Sequence, residues 1–555
     1  DEEKIAIDIA MHGPARTVAQ VLDEQPLGFL GAFTVSPSAV SGDADLRTEL
    51  RFPLRRDLTP AMVKFAASGK LHKLAIAPAP RGLTVSGGEL TVKADNASLS
   101  ASGSLVLSGV PATAEWQERF APDAQEQRKL VFAGRVPDMR KPGFGLPDLG
   151  FLSGPADAKV VFTQQRGGKG EMLIDLGIAD MELRLPALGW TKPPGVPGKA
   201  DLALAFDGDG LQRIGKVGVE AGGARLLGSA EAFGPERNAW IATLERYENA
   251  GNDLRGRIEL RPDGSVDADV TGKRFDLAGM LDFQLNAGGG ADAPKVPPVG
   301  IKAQFGELRW GDDRRLADAS LLVKFADGHI QGLALDGDLG RDAALSVRYM
   351  PGPDGQVFRV AADDFGAVLG MSPSHSRVVG GALVIRGLRR TPDAPLEGDF
   401  FASRFTLSKA PLLARVLQVA SLTGIGDALS RKGLAFDAFE GQYSYSNGQV
   451  TFAKASAYGS SIGVSGNGVA DFGRDTVALS GTLVPAYALN RVLGKIPVIG
   501  PLLTGGENEG IIAATYRVEG PIDDAKVEVN PLSALAPGFL RNLFGLGADK
   551  PPASQ

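Results

Sequence analysis

Residues 443–452 read YSYSNGQVTF, and this stretch indicates the fold class. Aromatic or aliphatic side chains alternate with polar ones on either side of the pair Asn447-Gly448. Alternation with a period of two predicts β-strands with one apolar face, and Asn-Gly is a strong signal for a two-residue hairpin turn. We therefore predict two antiparallel strands, 443–446 and 449–452, joined at this pair.

The same alternation recurs along the chain. Leu202, Leu204 and Phe206 alternate with alanines, and a Pro-Asp-Gly-Ser turn at 262–265 separates two further alternating runs. The 555 residues include 73 Gly and 36 Pro. Long helices are disfavoured, because an interior Gly costs a helix about 0.5–1 kcal/mol and an interior Pro about 3 kcal/mol. We predict a mostly β chain of antiparallel meanders, with short helices before residue 410 only at 13–24, 59–68 and 112–120.

Composition also excludes several function classes. The net charge of −6 offers no basic surface, so we expect no nucleic-acid partner. No Cys occurs, which excludes disulfides, thiolate nucleophiles and Cys-ligated metals. The four His lack metal-ligand spacing and the paired Asp residues are interpreted as turn residues, so we predict no cofactor, no metal and no enzymatic activity.

The ends of the sequence carry two further signals. The chain opens with DEEKIAIDIA, in the middle of an alternating strand pattern. The sequence contains no run of about 18 apolar residues, the length needed to span a bilayer, so we expect a targeting segment upstream. Three apolar helical stripes lie in the C-terminal third, at 411–420, 486–503 and 539–544. They either plug the end of a β-structure or contact a membrane interface or a partner.

The alternating strands leave open what covers their apolar faces. The sheet could pack on itself as serial sandwiches or barrels, or curl into a trough with an apolar interior. Composition alone favours sandwiches.

Several segments resemble the C-terminal region of the AsmA-like family. They are FTLSKAPLLA (405–414), ASLTGI (420–425), GLAF (433–436), GTLVPAYALN (481–490), KIPVIG (495–500), ATYRV (514–518), VNPLS (529–533) and PGFLR (537–541). Upstream, GVPA (109–112) with Trp116, and WTKPPG (190–195), resemble the middle of the large YhdP-type members, which are grouped with TamB. The resemblance implies a repetitive β-groove over 1–374, an AsmA-like C-terminal region over 375–545 and a flexible tail over 546–555.

The resemblance also implies a fold and a function. It favours an elongated, curled antiparallel sheet that forms an apolar groove, with amphipathic helices mainly near the C-terminus. The implied function is phospholipid transport across the periplasm, in a protein tethered to the inner membrane by an anchor that this sequence lacks. The partners would be phospholipid, the bacterial membranes and envelope proteins.

Two rival functions stay open at this point. One is a scaffold that assembles outer-membrane proteins by β-augmentation, and the other is an enzyme that acts on envelope glycans or lipids. The predicted lipid-binding or membrane-contacting residues are Leu202, Leu204, Phe206, Leu412, Leu413, Val416, Leu417, Val492, Leu493, Phe539 and Phe544.

Overall fold

Antiparallel β-strands make up most of the described chain, which confirms the predicted fold class. The structure, a computed structural model, describes residues 3–23, 36–55, 57, 59, 62–77, 83–120, 124–138, 152–185, 188, 190–208, 210–277, 297–310, 314–327, 329–370, 377–408, 410–419, 425, 429, 432–485, 514–522 and 524–530. The chain forms two compact units. Unit 1 comprises Asp1–Val266 and Phe275–Gly290, and unit 2 comprises Asp267–Arg274 and Ala291–Gln555. The predicted boundary at 374/375 falls inside unit 2.

The first eighteen strands lie in the first half of the chain. They are β1 (Lys4–Pro14), β2 (Val40–Pro53), β3 (Lys64–Ile76), β4 (Val85–Asp95), β5 (Ser98–Leu107), β6 (Val110–Arg119), β7 (Glu126–Val136), β8 (Leu152–Ser153), β9 (Ala156–Gln165), β10 (Lys169–Gly177), β11 (Glu182–Leu185), β12 (Trp190–Lys192), β13 (Gly198–Asp207), β14 (Gly210–Ala221), β15 (Ala224–Phe233), β16 (Ala239–Glu248), β17 (Asp253–Leu260) and β18 (Val266–Asp276). β18 contributes residues to both units.

Unit 1 contains one large sheet in which each strand pairs with the next. The order is β1-β2-β3-β4-β5-β6-β7-β9-β10-β13-β14-β15-β16-β17, and every pairing is antiparallel. Among the described pairings, β1 and β17 do not meet, so the sheet is open. This serial order is what short hairpin turns between consecutive strands produce.

Two smaller elements cover part of one face of this sheet. A second sheet, β8-β11-β12, buries Met181 and Leu183 against Ala156, Ala200 and their neighbours. Helix α1 (Ala15–Asp23) buries Ala15 and Ala19 against β2 and β3, where Val40, Ala44 and Leu74 lie. Its position agrees with the helix predicted at 13–24.

Lys192 ties β12 to the connection between β10 and β11. Its side chain is fully buried, and Nζ donates hydrogen bonds to the carbonyl oxygens of Ala179 and Met181, both at 2.8 Å. Burial lowers the pKa of Lys192. The carbonyl oxygens supply the partners that a buried ammonium group requires.

Unit 2 has the same serial architecture. Its strands are β19 (Val299–Arg309), β20 (Arg315–Ala326), β21 (His329–Asp338), β22 (Ala344–Gly352), β23 (Gly355–Ala362), β24 (Arg377–Val379), β25 (Ala382–Arg389), β26 (Leu396–Ser408), β27 (Leu434–Ser446), β28 (Gln449–Tyr458), β29 (Ile462–Asp471), β30 (Thr476–Pro485), β31 (Ala514–Pro521) and β32 (Lys526–Asn530). They pair antiparallel in chain order, except that β24 and β25 lie end to end along β26 and β23 pairs with β25.

Two short helices accompany this sheet. Helix α2 (Phe365–Gly370) follows β23, and Asp364 accepts a hydrogen bond from the Ala367 backbone N–H at its start. Helix α3 (Pro411–Val419) follows β26 and contacts β32. Each unit therefore consists of one long meander with small elements placed against it.

The structure confirms one turn prediction and overturns two helix predictions. Ser446 pairs with Gln449, and Asn447 and Gly448 both have positive φ, at 49° and 80°, as a type I′ turn requires. The helix predicted at 112–120 is wrong, because residues 110–119 form β6 between β5 and β7. The helix predicted at 59–68 is also wrong, because β3 begins at Lys64.

Candidate functional site

An unbroken row of apolar side chains crosses the large sheet of unit 1. The strand register places one apolar residue or glycine from each of the fourteen strands in this row, which we call row 1. Its members are Met11, Leu46, Gly69, Val92, Ala101, Trp116, Leu130, Phe162, Met172, Leu204, Ile214, Ala230, Ala242 and Ile258.

Most side chains of row 1 are half-buried rather than buried. Met11 is 42% exposed, whereas Ala101 is buried. A sheet face that served only as a packed core would bury these residues almost completely. Row 1 is therefore an apolar surface that the described chain leaves accessible.

The three residues predicted on β13 belong to this surface. Leu204 pairs in register with Met172 and Ile214, and Leu202 and Phe206 point to the same side of the sheet. Leu202 and Leu204 are half-buried and Phe206 is buried. Phe206 makes an edge-to-face contact with Phe162, with ring centroids 6.5 Å apart.

The opposite face of unit 1 carries charge. A cavity of about 950 Å³ on that side is lined by charged residues that include Arg135, Asp157, Asp201 and Lys216. These charges pair with one another: Lys216 lies 2.7 Å from Asp201, and Arg135 lies 3.1 Å from Asp157. The two faces of the sheet thus differ sharply in polarity.

A buried ion pair lies on the apolar face, at the end of β6 and the start of β7. Glu118 is 4% exposed and follows Trp116 on the same side of β6. Its carboxylate accepts hydrogen bonds from Arg128 Nε at 2.9 Å and from Trp116 Nε1 at 3.1 Å. Arg128 also donates to Gln164 at 3.1 Å. These hydrogen bonds supply partners that a buried ion pair needs beside an apolar surface.

Unit 2 carries a matching row across thirteen strands, which we call row 2. Its members are Ile301, Val323, Leu333, Tyr349, Phe358, Gly387, Gly398, Tyr443, Phe452, Gly468, Leu479, Val518 and Val527. The register row on the other face includes Arg348, Arg359, Arg386, Asp399 and Gln442. One face is therefore apolar and the other is charged.

The apolar face of unit 2 is concave between β20 and β28. A single cavity of about 840 Å³, which we call the aromatic chamber, is lined in succession from Phe325 on β20 to Phe452 on β28. The aromatic chamber is open to solvent on one side, and Phe365 and Val368 of α2 also line it. Phe400 lies in the chamber with its ring centroid 4.7 Å from Phe439 and 6.1 Å from Phe452.

Glycines make room for the large rings of this face. A Cβ atom at Gly441 would lie 2.8 Å from Phe400 Cζ, and one at Gly481 would lie 2.6 Å from Tyr516 Oη. Real side chains do not tolerate such distances. The glycines are therefore required where a ring from a neighbouring strand lies flat on the backbone.

The predicted C-terminal residues fall into two groups. On α3, Val416 and Leu417 are buried and Leu413 is half-buried, and Arg415 donates a hydrogen bond to the Ala525 carbonyl oxygen at 3.0 Å. These contacts attach α3 to the end of the sheet. Leu412 lies on α3, but its side chain is outside the described part. Val492, Leu493, Phe539 and Phe544 lie outside the described residues.

The histidines and acidic pairs have ordinary surroundings. His72 contacts Asp45 at 3.4 Å and Glu89 at 2.8 Å, and His12 also contacts Asp45. Asp336 binds Arg348 at 2.7 Å, as part of a half-buried ion pair. Among the described residues, no three His, Asp or Glu side chains are grouped as metal ligands. His375 and Asp209 lie outside the described residues.

Sequence reasoning did not identify the aromatic chamber. Tyr443 and Tyr445 lie close together in the sequence, whereas Phe325 and Phe358, which also line the chamber, lie on distant strands. The only local signal is alternation, which predicts the face of a side chain and not its neighbours.

Within the described part of the chain, no helix is sufficiently long and apolar to cross a bilayer. Comparison with protein-family models and with curated proteins finds no match for this chain. The AsmA-like resemblance therefore stays a prediction from the sequence.

Proposed function

We propose that this protein binds phospholipid acyl chains on the apolar faces of its two sheets and moves phospholipid across the periplasm without chemical change. The observation that carries the proposal is the pair of unbroken, largely half-buried apolar rows. Acyl chains cost about 0.8 kcal/mol per CH₂ group in water, so a carrier needs apolar surface that is continuous and accessible. Row 1 and row 2 each have both properties.

The composition of the rows suits movement rather than tight capture. Row 1 consists of aliphatic side chains, small residues and a few aromatics, whose contacts with a hydrocarbon chain have no preferred direction. A chain that slides from one strand to the next exchanges one such contact for another. Along row 1 the polar headgroups can stay in solvent, and no chemical group of the protein has to react with the lipid.

The cellular setting belongs to the proposal as well. Following the AsmA-like resemblance, we place the protein in the periplasm, tethered to the inner membrane, where it supports outer-membrane lipid homeostasis. Its partners are phospholipid, the two membranes and envelope proteins. No cofactor is needed for this function.

One observation favours a second function, that of a scaffold. Among the described strands, β1 pairs only with β2, and Ile7, Ile9 and Met11 on β1 are each 37–42% exposed. A strand of this kind can pair with an extended segment of another protein. The scaffold function therefore predicts a protein bound at β1, whereas transport predicts lipid on the rows.

A crosslinking experiment separates the two functions. A photoreactive amino acid is placed at Leu204 in row 1 and, in a second variant, at Ile7 on the edge strand. The proposed function predicts phospholipid adducts at position 204 in cells, identified by mass spectrometry. Protein adducts at position 7, with no lipid adduct at position 204, would contradict the transport function and support the scaffold function.

A further inference from the structure

Three polar atoms in the aromatic chamber are buried and lack a hydrogen-bond partner among the described residues. They are Gln356 Oε1, Arg389 Nε and Tyr443 Oη. All three residues line the chamber. Buried polar groups in proteins are nearly always hydrogen-bonded, so three unpaired groups at one apolar cavity indicate partners that the described residues do not supply.

The three residues are neighbours on the sheet. Gln356 and Arg389 are directly opposite in the register of β23 and β25, which places their Cβ atoms about 4.5–5.5 Å apart. Gly387 precedes Arg389 on the same face of β25, and Tyr443 Oη lies over it, 2.6 Å from the position of a Cβ atom. Same-face neighbours along a strand are about 7 Å apart. One ligand headgroup can therefore reach all three.

The polar group marks one end of the chamber. Gln356 and Arg389 lie at the strand ends near the β22–β23 and β25–β26 connections, whereas Leu383, at the other end of β25, and Phe365 of α2 line the apolar end. Arg389 lies six positions after Leu383, which corresponds to about 20 Å of strand. One leaflet of a bilayer holds about 15 Å of hydrocarbon, so the chamber is long enough for acyl chains that lie along the strands.

The three groups also specify a chemistry. Arg389 Nε–H donates a hydrogen bond next to a full positive charge, and the Tyr443 hydroxyl donates a second. Burial, together with the negative charge of Asp399, raises the pKa of Tyr443 to about 12, so its hydroxyl keeps its proton at neutral pH. Gln356 Oε1 can only accept. Its amide nitrogen already donates to the Gln331 carbonyl oxygen at 3.4 Å.

We propose that the aromatic chamber is a fixed binding site for one phospholipid whose headgroup carries an N–H or O–H donor, such as phosphatidylethanolamine or phosphatidylglycerol. The phosphate oxygens accept hydrogen bonds from Arg389 and Tyr443, and the headgroup ammonium or hydroxyl donates to Gln356. Phosphatidylcholine has no such donor and leaves Gln356 unpaired. The volume of about 840 Å³ falls within the range of about 300–1,000 Å³ for sites that hold one small molecule. This inference rests on the proposed function and names a lipid class for one part of the surface.

The test reads the occupant of the chamber directly. The full chain with Phe358→p-benzoylphenylalanine is incubated with vesicles of equal parts phosphatidylethanolamine and phosphatidylcholine with identical acyl chains, and the crosslinked lipid is identified by mass spectrometry. We expect adducts of phosphatidylethanolamine to exceed those of phosphatidylcholine by about tenfold, which is the effect of one hydrogen bond to a charged group. Gln356→Leu removes the headgroup acceptor and should reduce this ratio towards one. Tyr443→Phe and Arg389→Gln remove contacts to the phosphate, which both lipids share, and should reduce the total amount of lipid adduct.

Matched controls and competing outcomes are available. Arg386→Gln changes the same residue type on the opposite face of β25 and should keep the preference. Soluble glycerophosphoethanolamine should not compete, because it lacks acyl chains; effective competition would make the site one for a free phosphate ester and overturn the proposal. Equal adducts of both lipids, unchanged in Arg389→Gln, would overturn this inference and leave the proposed function standing. No lipid adduct at position 358 or at position 204 would overturn both.

Discussion

The phenolic oxygen of Tyr443 lies over Gly387, two strands away in the sheet of unit 2, where a Cβ atom would be only 2.6 Å from it. Gly398, on the strand between them, is in register with both residues. Tyr516 repeats the arrangement over Gly481 and Gly466, with calculated Cβ distances of 2.6 and 2.8 Å. Paired glycines thus let a tyrosine ring lie along the apolar face instead of standing up from it.

This relationship predicts that Gly387→Ala destabilises unit 2. The new methyl group must displace Tyr443 Oη and also meets Leu396 Cδ1 at 2.9 Å. Overpacking of this kind costs about 1–3 kcal/mol. The measurement is the urea midpoint of the unfolding transition of unit 2, followed by circular dichroism.

Gly332→Ala is the matched control for that substitution. Gly332 also lies inside a strand of unit 2, but a Cβ atom there would meet nothing closer than 3.9 Å. We expect no loss of stability, since Ala restricts the unfolded chain more than Gly does. Equal midpoints for the two variants would show that Tyr443 does not depend on Gly387.

A second prediction concerns the ion pair at the edge of unit 1. The side chains of Glu118 and Arg128 are 5% and 12% exposed. Glu118→Ala removes the carboxylate and leaves Arg128 largely buried with only part of its hydrogen bonds, which costs about 3–5 kcal/mol. Denaturant unfolding of unit 1 measures this loss.

The comparison for Glu118 is the exposed pair Arg390–Glu397, whose side chains are 67% and 56% exposed. Glu397→Ala should cost less than about 1 kcal/mol, because solvent screens the charges. A cost for Glu118→Ala as small as that for Glu397→Ala would contradict the assigned role of the buried pair.

A third prediction concerns pH. The hydrogen bond and charge of Asp45 raise the pKa of His12 above its ordinary value of 6.5, and His12 in turn lowers the pKa of Asp45 below 3.8. The stabilising contribution of His12 is therefore complete below about pH 6.5 and is lost as pH rises through its raised pKa. That of Asp45 is present above about pH 4 and is lost as pH falls through its lowered pKa.

The measurement is an NMR titration of the His12 ring protons in the wild type and in Asp45→Asn. We expect the pKa of His12 to lie above 6.5 in the wild type and to fall in the variant, which cannot supply the negative charge. An identical titration curve in both proteins would refute the assigned cause of the shift.

Much of the fold follows from local sequence, because alternation is a local property. The strand at 202–206, its apolar side and the turn at Asn447 were all predictable from neighbouring residues. The helix prediction at 112–120 was wrong because it also used only local residues. Ala, Glu, Gln and Arg favour a helix, but β5 and β7 supply backbone hydrogen-bond partners on both sides, so the segment forms a strand. Trp116 and Glu118 then share a face, as alternation alone would have indicated.

The candidate site was less predictable, because it depends on register. Gln356, Arg389 and Tyr443 lie on three different strands, and no local pattern connects them. Their proximity arises from the β23–β25 pairing and from the glycines that let the Tyr443 ring lie flat. A shift of one residue in any of these pairings would send the side chains to the opposite face.

The last prediction tests the proposed function at the residue that the sequence first suggested. Leu204→Asp places a carboxylate in row 1 between Met172 and Ile214. Burial of a whole Leu side chain is worth about 1.5–3 kcal/mol, so loss of a half-buried one against an acyl chain should remove about 1 kcal/mol and reduce bound lipid about fivefold.

Ala203→Asp is the control, because Ala203 lies on the other face, in register with Lys216, where a carboxylate gains a cationic neighbour. Mass spectrometry of lipid that copurifies with each folded variant, and complementation of an envelope defect, should both fall for Leu204→Asp and hold for Ala203→Asp. Unchanged lipid content and unchanged complementation in a folded Leu204→Asp protein would rule out transport along row 1, because a charge in the middle of that row cannot be neutral for a passing acyl chain.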